Sequence, residues 1–278
     1  MTNTRVMANA QATTNTQFLN VPGGQLAYDV VGPADGPLVI ALPGMGDLRQ
    51  SYRFLAPRLA DAGYRVVSVD LRGQGESSTA WDSYQPEATG ADILALIEHL
   101  GGPAVLVATS FSPSAAAWAA AQAPARVAGL VLLSMFTDNP PMNPMMRLVS
   151  GQVMSRRALW LMYYKSLFAT VPDDFASYRE LVKRSFGRTG MAAVRAMGEA
   201  DKTEANKALA RVQVPTLVMY GSKDPDFPDP AAQAKRAQEL LPHATVRLVD
   251  GVKHYPATEA PDVVAPATLQ LLKEAFGA

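Results

Sequence analysis

The stretch Val105–Trp118, VLVATSFSPSAAAW, decides how the chain is read. A short apolar run ends in Thr109-Ser110-Phe111-Ser112-Pro113-Ser114 and passes at once into alanines. The run reads as a strand covered on both faces, and the alanines read as a helix. A serine in such a sharp strand-to-helix turn has a strained backbone and needs small residues two positions to either side. Ala108 and Ser112 meet that need around Ser110. Centring the turn on Ser112 would put Pro113 where the next backbone N–H must act as a donor, and proline has none. Ser114 falls inside the helix. Ser110 is therefore the candidate nucleophile, with helix capping by Ser110 or Ser112 as the competing reading.

The same rhythm extends outward. Apolar, β-branched runs recur at 37–42, 65–70, 104–109, 127–134, 216–221 and 245–250, with Ala- and Leu-rich helical stretches between them. An antiparallel hairpin is expected ahead of them, QFLNV and GQLAYDVVG about Pro22-Gly23-Gly24. Alternation of this kind predicts an α/β fold, a mainly parallel eight-stranded sheet flanked by helices. From about 135 to 209 the strand pattern stops, and eight of the 12 methionines fall between Met135 and Met197. That stretch is expected to be a helical insertion within a single domain spanning 17–278. Residues 1–16, polar and rich in Thr and Asn, are expected to form a disordered arm.

Composition excludes several functions. Lys+Arg and Asp+Glu both total 25, so no net field draws in nucleic acid or an anionic membrane. With no cysteine, disulfides, thiolate metal sites and a Cys nucleophile are absent. No apolar stretch approaches the ~20 residues that span a bilayer, and a cytoplasmic location is expected. No dinucleotide fingerprint, Walker loop or metal-ligand cluster is read from the sequence, so neither cofactor nor metal is expected. Oligomeric state is not legible.

In an open parallel sheet, ligands bind past the carboxyl ends of the strands. A serine there needs a base, and the chain has three histidines. His99 and His243 sit at helix ends, whereas His254 lies in a loop past the run 245–250. The acid that orients an imidazole is sought in Ser222-Lys223-Asp224-Pro225-Asp226, where Asp224 is favoured and Asp138 is a weaker alternative. Asp226 and Asp229 read as turn residues. The run 37–42 leads into Pro43-Gly44-Met45-Gly46, whose Met45 N–H, with that of Phe111, is the expected oxyanion hole. A plain glycine turn is the competing reading.

Ser110, Asp224 and His254 stand in the chain order of the α/β-hydrolase fold, and the resemblance covers roughly 17–276. Leu42-Pro43-Gly44-Met45-Gly46 resembles that family's oxyanion loop, and Asp70-Leu71-Arg72-Gly73-Gln74-Gly75-Glu76-Ser77 its D-x-R-G-x-G-x-S segment. Gly221-Ser222-Lys223-Asp224 is similar to its acid turn, and Gly251-Val252-Lys253-His254 to its histidine loop. Two departures stand out: Ala108 and Ser112 replace the usual elbow glycines, and Pro43 stands where histidine is common. The resemblance implies a serine hydrolase acting on an ester or lactone with an apolar part, with 135–209 as a helical cap. Met135, Met142, Met146, Trp160, Tyr163 and Tyr164 would line a substrate pocket with few fixed charges. C–C bond hydrolysis, cofactor-free perhydrolysis and ligand reception without turnover are the alternatives.

Overall fold

The computed structural model describes residues 16–139 and 142–277. The expected arm, 1–16, lies outside the described residues except for Thr16. The chain begins with the hairpin of β1 (Gln17–Val21) and β2 (Gly24–Val31), then β3 (Leu38–Leu42), α1 (Ala56–Asp61), β4 (Arg65–Val69) and α2 (Pro86–Leu100). Next come β5 (Ala104–Thr109), α3 (Ser112–Gln122) and β6 (Val127–Leu133). Among the described residues five α-helices then precede the next strand: α4 (Pro144–Ser155), α5 (Arg157–Ser166), α6 (Phe175–Thr189), α7 (Ala192–Gly198) and α8 (Thr203–Lys207). The chain closes with β7 (Thr216–Gly221), α9 (Pro230–Leu240), β8 (Thr245–Val249), α10 (Pro256–Glu259) and α11 (Pro261–Phe276).

The eight strands form one sheet in the order β1-β2-β4-β3-β5-β6-β7-β8. The β1–β2 and β2–β4 pairs are antiparallel, and every other pair is parallel. Alternation explains the two-sided core, because successive side chains of a strand face opposite ways. Along β5, Leu106 and Ala108 pack with α2, α3 and α9, whereas Val105 and Val107 pack with α1 and α11. Burying each Val or Leu contributes about 1.5–3 kcal/mol. A third apolar cluster joins the helices after β6 to the loop after β3, with Trp160, Tyr164, Phe175 and Tyr178 in the same cluster as Leu48. Among the described residues, no helix is long and apolar enough to cross a membrane.

One cation ties the loop after β3 to the loop after β4. The buried Arg49 pairs through Nε with Asp29 at 2.8 Å and through its two Nη atoms with Asp70 and Glu76. Its backbone N–H also donates to Asp70 Oδ1 at 2.8 Å. Burial raises the pKa of Asp70, and Arg49 opposes that rise. Removing one partner of a buried pair leaves a bare charge and costs about 3–5 kcal/mol, whereas an exposed pair is worth about 0–1 kcal/mol. Arg49→Met is therefore expected to lose several kcal/mol in denaturant unfolding. Arg236→Ala, in the exposed pair with Glu239, is expected to lose less than about 1 kcal/mol. Equal losses would contradict this account of Arg49.

Candidate active site

Ser110 follows β5 directly and has φ 62°, the left-handed region that side chains other than glycine rarely adopt. The turn is fixed from several sides. Ser110 N–H donates to Leu133 O at the end of β6 (2.9 Å), and Ser112 Oγ–H donates to Pro43 O (2.5 Å). The serine that replaces an elbow glycine thus tethers the loop after β3. Gly44 lies so close that a Cβ there would sit 3.0 Å from Ser110 Cβ. Gly46 has φ +71° and lies under the indole of Trp160, where a Cβ would be 2.4 Å from Cζ2. Ser114, from the helix, donates to Asn206 Oδ1 instead (2.8 Å).

The other strand ends bring the remaining groups together. His254 Nδ1 lies 2.8 Å from Asp224 Oδ2, and both side chains are buried. A carboxylate can only accept, so Nδ1 carries the proton and Nε2 is the basic nitrogen. The histidine loop is held from beside the elbow: Ser134, itself at φ 49°, donates its hydroxyl to His254 O (3.0 Å). Asp138 has no such place, and His99, from α2, meets Tyr28 OH on β2 (3.2 Å). Asp229 is the turn residue expected, accepting from Ala231 N and Ala232 N to cap α9.

Asp226 is more than a turn residue. Its Oδ2 lies 3.6 Å from His254 Nδ1, its N–H donates to Asp224 Oδ1 (3.0 Å), and Tyr163 OH reaches both carboxylate oxygens at 2.6 and 2.8 Å. The two aspartates, with only Pro225 between them, stand about one imidazole, and their D-P-D spacing is the signal that could have found the second. Burial raises the pKa of Asp226, with His254 opposing; burial and Asp226 both raise that of Tyr163, which therefore stays a donor. Asp224, Asp226 and His254 form a group whose ligand atoms all lie within 4.8 Å, compact enough for a metal ion. Their hydrogen bonds to one another and to Tyr163 already account for the cluster.

A cavity of about 730 Å³ opens onto these groups, lined by Ser110, His254, Met45 and Phe111. Of the expected pocket residues, Met142, Trp160 and Tyr163 line it. The other three do not. Met135 is wholly buried in the core around Tyr220, whose hydroxyl bonds its carbonyl (3.0 Å). Met146 is exposed on α4. Tyr164 turns down to donate to the buried Asp47 (3.2 Å), alongside Tyr178 (2.5 Å). Burial raises the Asp47 pKa to about 6 in spite of those bonds. The cavity is also less apolar than expected, for Arg147, Glu199, Asp201 and Lys202 line it. Phe136, just past β6, lines it too and lies 6.3 Å, ring to ring, from His254. The strand-end rule could have found Phe136; nothing in the sequence points to Lys202.

A sequence model of the alpha/beta hydrolase family matches residues 39–267. The chain belongs to that family. A non-heme chloroperoxidase from Streptomyces lividans is 25% identical over 268 residues, covering 90% of this chain and 97% of the relative. A proline iminopeptidase from Pestalotiopsis fici is 39% identical over 90 residues, and the match spans only 31% of that relative's length and 31% of this chain. Among solved structures, a thermophilic esterase from Thermogutta terrifontis superposes with a TM-score of 0.77 at 24% identity, covering 93% of this chain and 99% of that one. This last likeness is one of fold. The activities named for these relatives differ, so hydrolase-family membership leaves the bond cleaved to be argued from the site.

The carboxylates set the titration of His254. Burial lowers its pKa, but Asp224, Asp226 and Glu259 outweigh burial and raise it from 6.5 to about 9. The folded state therefore holds a proton that the unfolded chain releases. The stability this contributes is complete below about 6.5 and is lost as pH rises through about 9. An NMR titration of the His254 ring should give a midpoint near 9 in the native chain, and a lower one in Asp226→Asn. A midpoint that Asp226→Asn leaves in place would show that Asp226 does not act on the imidazole.

Proposed function

We propose that the chain is a serine hydrolase that cleaves a carboxylic ester or lactone through an acyl-enzyme. The observation that carries this reading is Ser110, held at φ 62° at the wall of the cavity that His254 also lines, with His254 Nδ1 2.8 Å from Asp224. Ser110 Oγ attacks the carbonyl carbon while Nε2 of His254 in its neutral form, whose share grows as pH rises toward about 9, takes its proton. Asp224 holds the imidazole in the tautomer that leaves Nε2 free and stabilises the imidazolium. The N–H groups of Met45 and Phe111 are the donors for the tetrahedral oxyanion, the close approach at Gly44 bringing the first of them to the serine. The imidazolium then protonates the departing alcohol. Water, activated by His254, releases the acid and restores Ser110.

The helices α4–α8 serve in this reading as a cap, with Trp160 and Met154 giving the pocket its apolar wall. Such a wall suits an acyl or alcohol part with little charge near the scissile bond. Aspartate at the nucleophile position would have favoured epoxide or haloalkane chemistry, and the residue here is serine.

Hydrolysis of p-nitrophenyl esters of graded chain length tests the assignment. Ser110→Ala is expected to lower kcat by roughly 10⁴-fold or more, against roughly 10²–10³ for loss of one oxyanion donor. Turnover that survives Ser110→Ala would remove Ser110 as the nucleophile.

A further inference from the structure

The cavity has a charged end that the proposed chemistry does not use. Lys202 and Arg147 line it together with Ser110 and His254. Phe136 bridges the two ends: the Lys202 Nζ lies over its ring at 6.0 Å from the centroid, and the ring lies 6.3 Å from that of His254. Both neighbouring carboxylates are engaged elsewhere. Asp201 accepts from Asn139 Nδ2 (2.7 Å) and from Thr203 N–H (2.9 Å), and Glu199 accepts from Arg195 Nε (2.9 Å). Among the described residues, no salt bridge reaches Lys202. Its amine is half-buried, and burial lowers its pKa with only the Asp201 charge in opposition. A cation partly stripped of water, without an ion pair and facing the reactive cavity, is an incomplete site for an anion.

We infer that Lys202, with Arg147 at the rim, binds a carboxylate carried by the substrate at the end remote from the scissile bond. The substrate class is then a half-ester or lactone acid: a reactive carbonyl at Ser110, an apolar spacer along Phe136, and a terminal carboxylate on Lys202. An ammonium donates to a carboxylate in a charge-assisted hydrogen bond, and a partly dry cavity strengthens it. This inference rests on the ester-hydrolase reading for where the substrate lies, so its test has one arm that needs no turnover.

In the first arm, monomethyl adipate and dimethyl adipate are titrated calorimetrically into Ser110→Ala. The charged compound should bind roughly 10- to 100-fold more tightly, the worth of one hydrogen bond to a charged group. Lys202→Met on the same background should remove the difference, and Lys202→Arg should keep most of it. In the second arm, kcat/KM is compared for matched pairs of p-nitrophenyl esters: pentanoate with the glutarate half-ester, and hexanoate with the adipate half-ester. The ratio of charged to neutral substrate should fall at least about tenfold in Lys202→Met and recover in Lys202→Arg. Equal binding of the two adipates, or a charged-to-neutral ratio that Lys202→Met leaves unchanged, would overturn the inference. Preferential binding of the monoester by a chain that hydrolyses none of the esters would uphold the anion site and overturn the ester-hydrolase reading alone.

Discussion

The structure depends on one backbone constraint, the left-handed turn at Ser110. A non-glycine residue at φ 62° costs on the order of 1–3 kcal/mol and persists only where its surroundings over-determine it. Here they do. The strand before the turn is paired on both sides, by β3 and β6, and the helix after it is locked by Ser114. Ser112 ties the turn to Pro43, which draws the loop carrying Gly44 and Met45 against the serine. The neighbouring strand repeats the device: Ser134 at φ 49° reaches over to the carbonyl of His254. Two strained serines just past adjacent strand ends thus fix the proposed nucleophile and the loop that carries its proposed base.

The electrostatics follow from burial. An imidazole taken out of water would be a weak base, and two carboxylates about its Nδ1 reverse that effect. The second of them, Asp226, is held by Tyr163 from α5. The helices over the sheet and the titration of His254 are therefore coupled through one phenol. A similar coupling runs through Asp47, where Tyr164 and Tyr178 from α5 and α6 meet the carboxylate beside Gly46. Polar bonds buried in an aromatic cluster fix the register of these helices on the loop after β3 more sharply than apolar packing would.

How much of this was legible in the sequence depended on the kind of signal. Both partners of the hairpin and all six parallel strands could be read: two-sided burial leaves uninterrupted runs such as Val105–Val107 in the central strands, and the largely exposed edge strands β1 and β8 were betrayed by the hairpin turn at Pro22-Gly23-Gly24 and by the run Thr245–Val249. The choice of Ser110 as candidate rested on a local fact, that Pro113 removes an N–H. Asp224 and His254 were sought at strand ends, and the structure sets them 2.8 Å apart. Within the helical insertion that rule has no purchase. Met135, Met146 and Tyr164 are of the same apolar and aromatic kinds as Met142, Trp160 and Tyr163, which line the cavity, and only the way each segment packs separates them. The place of Asp226 beside His254 was not legible because a turn and an acid partner share the same sequence, and that of Lys202 was not because the residues it faces, such as Phe136, are far away in the chain.

The most direct measurement of the central claim, that Ser110 is the nucleophile, is covalent trapping. The native chain is treated with a fluorophosphonate, digested, and the modified peptide identified by mass spectrometry. The account predicts one adduct per chain, on the peptide containing Ser110, and its loss when His254→Ala removes the base. An adduct on Ser112, Ser114 or another peptide, or labelling unaffected by His254→Ala, would contradict it.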